Sequence, residues 1–471
     1  MAEKAFFTAG TCRFSMQKRR TDATTKRQLS DERKMIDTRP AEPLRSELSV
    51  RLERVVLSGA ILPEMQYEHE QPLDELEQLA QTAGARVVGK LEQKARAIEP
   101  AYCIGKGKAE MLAAMVDELD ADSVIFDNDL TPAQIRNLER LIGCKVLDRS
   151  ELILDIFASR ARTHQSRLQV ELAQLEYTMP RLQRMWSHLG NIEGGIGTRG
   201  PGERQLETDR RLARKRAVQL RKEIDEIIDR KAREVQSRGD EFTVSLVGYT
   251  NAGKSTLMKA LTGADVLVED KLFATLDTCT RVWPIGVHRK ALLSDTVGFI
   301  RRLPHHLVAS FHATLEEATQ ADLLLHVVDT SHPECESQIK AVEAVLGEIG
   351  CAAKPAVLVF NKIDAVTDHS LVTRLRMDCP MSVEISARTD EGLDELTAMV
   401  ARMAADRDVE VHLETHCGNG KLFAYLAEHG RVIEQEYAGD AVRLTAVIPP
   451  RHVGQLRKLA GGKVEVEGND E

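Results

Sequence analysis

The sequence predicts an α/β protein in four parts: an N-terminal α/β domain, a long antiparallel helical hairpin, a doubly wound domain around a phosphate-binding loop, and a small C-terminal α/β domain. Three observations predict it. Short β-branched runs alternate with amphipathic stretches on either side of a central region, which implies sheets with helices packed on them. In the central region the apolar residues recur at steps of three and four, the period of helices that pack in pairs. Finally, "GYTNAGKS", Gly248 to Ser255, has the spacing G-x-x-x-x-G-K-S. In that pattern backbone N–H groups crowd a polyphosphate, a lysine reaches its terminal phosphates and a serine ligates magnesium.

The 471 residues are 42% hydrophobic and 29% charged, an ordinary globular mixture with room for several cores. Residues 1–48 read as a basic, disordered extension, because they have few apolar residues and no periodicity. Asp22, Asp31 and Glu32 within it argue against an organelle-targeting peptide. Across 49–160, "ERVVLSGAIL", "ARVVGKLEQ", "DSVIFD" and "CKVLD" read as strands separated by helices such as "LDELEQLAQTAG" and "AEMLAAMVDELD". The glycines of "IGKGK", Ile104 to Lys108, lack a phosphate-loop frame and are expected to make a turn.

The hairpin is expected over 161–238. Leu168, Leu172, Leu175, Met179, Leu182, Trp186 and Leu189 form one stripe on a helix that Pro180 could kink; Leu206, Ala213, Ala217, Leu220, Ile224 and Ile227 form the second. Both stripes are expected to be core, satisfied within the hairpin, so nothing requires a dimer and the free chain is expected to be a monomer. The joining loop contains Gly195-x-Gly197-x-x-Gly200, but a helix precedes it and Pro201 follows, so it is not a dinucleotide fingerprint. Arg199 and Arg204 on that loop instead suit phosphate contacts. Residues 1–45 carry 11 Lys/Arg against 6 Asp/Glu and residues 160–216 carry 12 against 6, on a chain of net charge −9. Two basic segments on an acidic body suit solvated surfaces or a polyanion such as nucleic acid.

In 239–405, "KALLSD", "LLLHVVD", "PAVLVFN" and "MSVEIS" read as strands of the sheet that carries the phosphate loop; "EFTVSLVG" precedes the loop and "TLMKALTG" follows it. Residues 406–471, with "DVEVHLE", "LFAYLAEHG", "AVRLTAVIP" and "RHVGQLRKLA", form the last module. Eight cysteines show no C-x-x-C pair, so they are expected to be reduced and structural. No apolar run reaches the 18 or so residues of a membrane span and "AFFTAG" is too short for a signal-peptide core, so a cytoplasmic location is expected.

The nucleotide follows from what lies downstream. "SDTVGF" ends a strand with Asp295, suited to holding magnesium through water, and Gly298, whose N–H can approach a terminal phosphate. "FNKID", Asn361 to Asp364, and "ISAR", Ser386 to Arg388, end two later strands. Guanine presents N1–H and N2–H₂ to one carboxylate, whereas adenine would leave Asp364 unpaired, so GTP is favoured over ATP. This segment resembles the translation-factor-like branch of small GTPase domains, which makes it a doubly wound P-loop GTPase domain. That resemblance implies that Asn361 and Asp364 bind the base, Lys362 covers its face and the Ala387 N–H meets the guanine carbonyl.

The whole chain resembles the HflX family of ribosome-associated GTPases, on "YCIGKGKAE", "GGIGTRGPGERQLETDRR", "GYTNAGKSTL", "KLFATLDTCTR", "SDTVGFIRRLP", "FNKID" and "IPPRHVGQL", from about residue 52 to 459. The resemblance implies Mg²⁺ held by Ser255, by Thr275 of the first switch and by Asp295 through water, with Lys254, Thr275 and Gly298 serving catalysis. It implies nucleotide contacts from Gly248, Tyr249, Thr250, Asn251, Ala252, Gly253, Lys254, Ser255 and Thr256, and from Phe273, Ala274, Thr275, Leu276 and Asp277. Asp295, Thr296, Val297 and Gly298 join them, as do Asn361, Lys362, Ile363, Asp364, Ser386, Ala387 and Arg388. It further implies GTP hydrolysis with some ATP use, and binding to the large (50S) ribosomal subunit and its RNA through Arg199 and Arg204, with splitting or rescue of stalled ribosomes under stress and a partly ribosome-bound location. A ribosome-assembly GTPase or an ATP-using RNA remodelling enzyme would use the same parts. Many GTPases place a glutamine after the switch glycine; Phe299 stands there, so unassisted hydrolysis is expected to be slow.

Overall fold

The computed structural model describes residues 50–65, 71–181, 201–237, 241–264, 272–286, 289–302, 317–366, 369–461 and 464–467. The extension before residue 49, the stripe residues Leu182, Trp186 and Leu189, the glycines 195 to 200 and Arg199 lie outside them, as do the side chains of Arg204 and Leu206.

The first sheet is parallel, in the order β2-β1-β3-β4: β1 is Arg54–Ile61, β2 Arg86–Lys94, β3 Ser123–Phe126 and β4 Lys145–Asp148. Strands β1, β3 and β4 are buried on both faces, as the inside of a parallel sheet requires, whereas the edge strand β2 buries only Leu91. Helices α1 (Asp74–Ala83), α2 (Lys106–Leu119), α3 (Pro132–Ile142) and α4 (Arg149–Arg160) connect and follow them. Helix α3 is bounded by its own chemistry: Thr131 and Gln134 make a reciprocal capping box, Pro132 opens the helix, and Gly143 closes it in the left-handed region. The "IGKGK" segment is a helix start rather than a turn alone, for α2 begins at Lys106 with Gly105 as its cap residue, and the Gly105 N–H donates to Gln93 Oε1 at 2.8 Å.

Helix α5 (His164–Thr178) stops where a single long helix was expected to continue, and a 3₁₀ turn at Met179–Arg181 takes over. Pro180 supplies the physical reason, since its ring displaces the carbonyl one turn back and it has no N–H to give. Helix α6 runs from Pro201 to Ser237 and packs on α5 through Leu168, Leu172, Ala217, Leu220 and Ile224. The bidentate pair Arg216–Glu171, at 2.8 and 3.0 Å, and Arg221–Glu176, at 2.7 Å, flank that seam. The Tyr177 hydroxyl donates to the buried Asp148 at 2.7 Å, tying α5 to the end of β4.

The second sheet has the order β10-β9-β8-β5-β7-β6. Its strands are β5 (Phe242–Gly248), β6 (Cys279–Pro284), β7 (Lys290–Asp295), β8 (Leu323–Asp329), β9 (Ala356–Asn361) and β10 (Ser382–Glu384). All pairs are parallel except the edge pair β6·β7. Strand β5 lies where the connections turn from one side of the sheet to the other, the position at which doubly wound sheets bind ligands. Helices α7 (Lys254–Thr262), α8 (Cys335–Glu348), α9 (Ser370–Asp378) and α10 (Leu393–Ala405) accompany it.

The last module is an antiparallel sheet, β12-β13-β11-β14, built from β11 (Val409–His416), β12 (Arg431–Ala438), β13 (Ala441–Ile448) and β14 (Val464–Glu467). Helices α11 (Gly420–His429) and α12 (Pro450–Ala460) bury Leu422, Leu426 and Leu456 against Val411, Leu413 and Leu444. Arg407–Asp322 at 2.5 Å and Arg451–Glu241 at 3.5 Å join this module to the second sheet. None of the helices described is long and apolar enough to cross a membrane.

Candidate functional site

The phosphate loop leaves β5 at Gly248 and enters α7 at Lys254. Gly253 between them has φ +94°, and a Cβ there would overlap the Asn361 amide nitrogen, so only glycine fits. Lys254 is buried, and its Nζ donates to the carbonyls of Gly248 (3.0 Å) and Tyr249 (2.8 Å). A cavity of about 360 Å³ opens over the loop, bounded by Thr250 and Lys254, the first-switch residues Phe273 to Thr275, Gly298, and the base-side residues Asp364 and Arg388. Asn251, Gly253, Ser255, Thr256, Thr296, Asn361, Lys362 and Ala387 also face it.

On one wall two hydroxyls meet a carboxylate buried behind them. Ser255 Oγ lies 2.8 Å from Thr275 Oγ1 and donates to Asp295 Oδ2 at 2.7 Å. Asp295 Oδ1 is buried and makes no hydrogen bond. Two hydroxyls and a carboxylate with an orphaned oxygen are a hard-oxygen set that fits Mg²⁺ and its waters. Burial pushes the Asp295 carboxyl above its ordinary value, against the pull of Lys254 and Ser255. Burial also brings the Lys254 ammonium down to about 8, with Asp295 opposing. Both charges are poorly solvated, and a polyphosphate with a divalent cation would restore both.

Gly298 sits against the loop. A Cβ on it would stand 2.7 Å from Thr250 Cγ2 and 2.9 Å from Thr250 Cα, so the second switch can close on the loop only with glycine there. Phe299 is buried, and its backbone is zipped to the loop: its N–H donates to Gly248 O at 3.1 Å and its carbonyl accepts from the Thr250 N–H at 2.7 Å.

On the base side the geometry redistributes the expected roles. Asn361 is a brace: its Nδ2 donates to Ala252 O at 2.8 Å and its Oδ1 accepts from the Ala387 N–H at 3.0 Å, so both groups expected at the base engage each other. Asp364 lines the cavity and accepts from Ser386 Oγ at 2.7 Å. Lys362 has φ +65°, and its ammonium meets Asp329 at 2.5 Å, which lays the stem along the cavity wall.

Families of known proteins match three stretches of the chain. Residues 70–158 match a family described as "GTP-binding GTPase N-terminal", 160–238 "GTP-binding GTPase Middle Region", and 243–362 "50S ribosome-binding GTPase". GTPase HflX of Caldanaerobacter subterraneus is 44% identical over 415 residues, covering 88% of this chain and 95% of the relative. This chain belongs to the HflX family of GTPases. GTPase HflX of Escherichia coli is 48% identical over 71% of this chain and 79% of its own length. A crystal structure of a GTP-binding protein from Sulfolobus solfataricus with GDP aligns at 25% identity and TM-score 0.41, over 75% of this chain and 99% of that one.

Within this HflX-family site several expected nucleotide contacts point elsewhere. Leu276, Val297 and Ser386 are buried and do not line the cavity, and Ile363 donates its N–H to Ile385 O at 3.3 Å. The Tyr249 side chain turns away from the loop: its hydroxyl donates to Glu75 of α1 and accepts the Arg301 N–H at 2.8 Å. Asp277 also leaves the cavity, to accept Thr163 Oγ1 at 2.7 Å at the start of α5.

Sequence reading missed the cluster around Tyr249. Arg149, at the head of α4, donates to Asp127 at 2.7 Å, to Glu75, and to the Arg301 carbonyl at 3.0 Å. Arg302, at φ +52°, meets Asp127 at 2.5 Å. The first domain thus grips the second switch through buried carboxylates. Only the arginine pair of "SDTVGFIRRLP" hinted at such partners.

Lys254 gives the site a pH signature. Above about pH 8 the free protein holds this lysine increasingly neutral, so binding a polyanion must draw a proton in. GTP affinity is expected to be flat below that pH and to weaken above it by up to about tenfold per pH unit, since the nucleotide's phosphates are already ionised. Fluorescence titrations from about pH 7 to about 9.5 would show it; a constant Kd across that range would mean the lysine stays charged without nucleotide.

Proposed function

We propose that this chain is a magnesium-dependent GTPase that docks on the large ribosomal subunit to split or rescue stalled ribosomes, its hydrolysis gated by the ribosome. The observation that carries the reading is the convergence of Ser255, Thr275 and Asp295 beside Lys254, with buried Phe299 where a water-orienting side chain would stand. Ser255, Thr275 and Asp295 would hold Mg²⁺, which when bound neutralises phosphate charge. Lys254 exchanges its two carbonyl partners for phosphate oxygens, the loop N–H groups cradle the remaining charge, and Asp364 accepts from the guanine edge.

Phe299 has no group to hold a water, and its ring is buried. A partner must therefore supply or order the missing group. The basic residues 160–216, among them Arg199 and Arg204, the latter in the first turn of α6 rather than on the joining loop, are the surfaces suited to ribosomal RNA.

GTP turnover by the purified chain should be slow and should rise tenfold or more with isolated large subunits; a stabilising arginine supplied by a partner gives about 10³ to 10⁵ in other GTPases. Intact GTP binding with no stimulation would sink the gated reading and shift weight to precursor particles.

A further inference from the structure

Resting on the reading of Thr275 as a ligand of nucleotide-bound magnesium, we infer that Asp277 is a positioning residue, which uses the start of α5 as the jig that holds Thr275 over Ser255. Residues 272–278 belong to no helix or strand, and β6 begins only at Cys279. No strand pairing of the second sheet therefore holds this segment. Its anchors lie on the other side of Thr275, in the helices that follow the first sheet.

There are two. Phe273 is 2% exposed, and its ring packs edge-on against Phe157 of α4, with centroids 4.8 Å apart at 74°. It adopts φ +53°, a region that disfavours an aromatic side chain unless its surroundings hold it there. On the far side of Thr275, the Asp277 carboxylate accepts from Thr163 Oγ1 at 2.7 Å, from the Arg162 N–H at 3.1 Å and from the Thr163 N–H at 3.3 Å. A carboxylate at a helix N-terminus is favoured by unpaired N–H groups and by the helix dipole together. Thr163 is already the cap of α5, accepting the Ser166 N–H at 3.1 Å, so Asp277 docks on a rigid fixture.

Two consequences follow. Thr275 is held from both sides by α4 and α5, so the 2.8 Å approach of its hydroxyl to Ser255 depends on where those helices stand. Because α5 packs on α6, whatever seizes that helix pair acts on the magnesium ligand, and by reciprocity nucleotide bound at Thr275 steadies the pair.

The test uses the full chain and fluorescent guanine nucleotides, with Mg²⁺ titrated against a non-hydrolysable GTP analogue and against GDP. Asp277→Ala should raise the Mg²⁺ concentration for half-maximal binding of the analogue about tenfold while GDP binding changes less than about twofold, because only with a triphosphate does Thr275 serve as a magnesium ligand. Asp277→Asn keeps an acceptor for Thr163 and should recover most of the effect. In the wild type, hydrogen exchange across residues 162–166 should slow with the analogue and not with GDP, and Asp277→Ala should abolish that difference. Equal losses for the analogue and GDP would reduce Asp277 to a structural cap and overturn the inference. Thr275→Ala separates the two readings. If it leaves the Mg²⁺ requirement unchanged, the magnesium assignment has failed; if it raises the requirement and Asp277→Ala does not, the positioning inference alone has failed.

Discussion

Lys254→Ala, assayed with large ribosomal subunits present, is expected to turn over GTP about 10² to 10³ times more slowly than the wild type while melting within a few degrees of it. The two halves of this expectation come from the same geometry. The ammonium is buried and pulled down to about 8 by that burial, so it is a charge that the folded protein holds at a cost. Its two acceptors do not depend on it: Gly248 O also accepts the Phe299 N–H, and Tyr249 O also accepts the Ala252 N–H. Removing the side chain orphans neither carbonyl. What disappears is the ammonium that the loop holds where charge grows on the phosphates during transfer. Turnover measured beside a thermal melt checks both; a large fall in Tm would show that the lysine supports the loop, and unchanged turnover would remove it from the chemistry.

The parts of this molecule set by local physics were legible in the sequence. The strands of the first sheet and β5, β7, β8 and β9 announce themselves as short apolar runs, β-branched in all but β7, and the loop from Gly248 to Ser255 is defined by spacing alone. Three strands were missed, β6, β12 and the four-residue β14. In β12, "RVIEQEYA", every residue is exposed, so no buried face imposes alternation. Edge strand β6 carries Thr280, Arg281 and Pro284 amid its apolar residues. Tyr249 and Asp277 were misplaced for a different reason: each stands inside a motif that surrounds nucleotide, yet its partner lies 174 or 114 residues away in another layer. Periodicity reports which face of an element is buried and says nothing about what covers it. Asn361 shows the same limit at short range, because "FNKID" fixes that an amide stands at the strand end and cannot say that it spans from Ala252 to Ala387.

Arg149→Ala should be the most destabilising single substitution in the first domain, costing about 3 to 5 kcal/mol, the usual result of stripping a buried charge from its partners. Arg149 is 2% exposed and serves Glu75, Asp127 and the Arg301 carbonyl at once. Without it Glu75 keeps its burial and loses its largest compensation, and Asp127 is left with Arg302 alone among the described ion pairs. Burial alone would raise the Glu75 carboxyl, but Arg149 and Arg301 hold it below its ordinary value of 4.5. A depressed carboxyl contributes stability that is complete above its unfolded pKa and is lost as pH falls through the folded one. Wild-type protein therefore draws on Glu75 down to pH values below about 4.5, and Arg149→Ala should shift acid unfolding to higher pH. Melting curves and an acid titration followed by circular dichroism test this, and a melt within about 2 °C of the wild type would show that Arg301 and Arg302 suffice. Arg149→Lys should not rescue, because a single ammonium cannot span two carboxylates and a carbonyl as a planar guanidinium does. Since a buried ion cluster adds little net stability over an apolar replacement, its value here lies in placement. It fixes Arg301 and Arg302, and with them the second switch that begins at Gly298, in one position against the first domain.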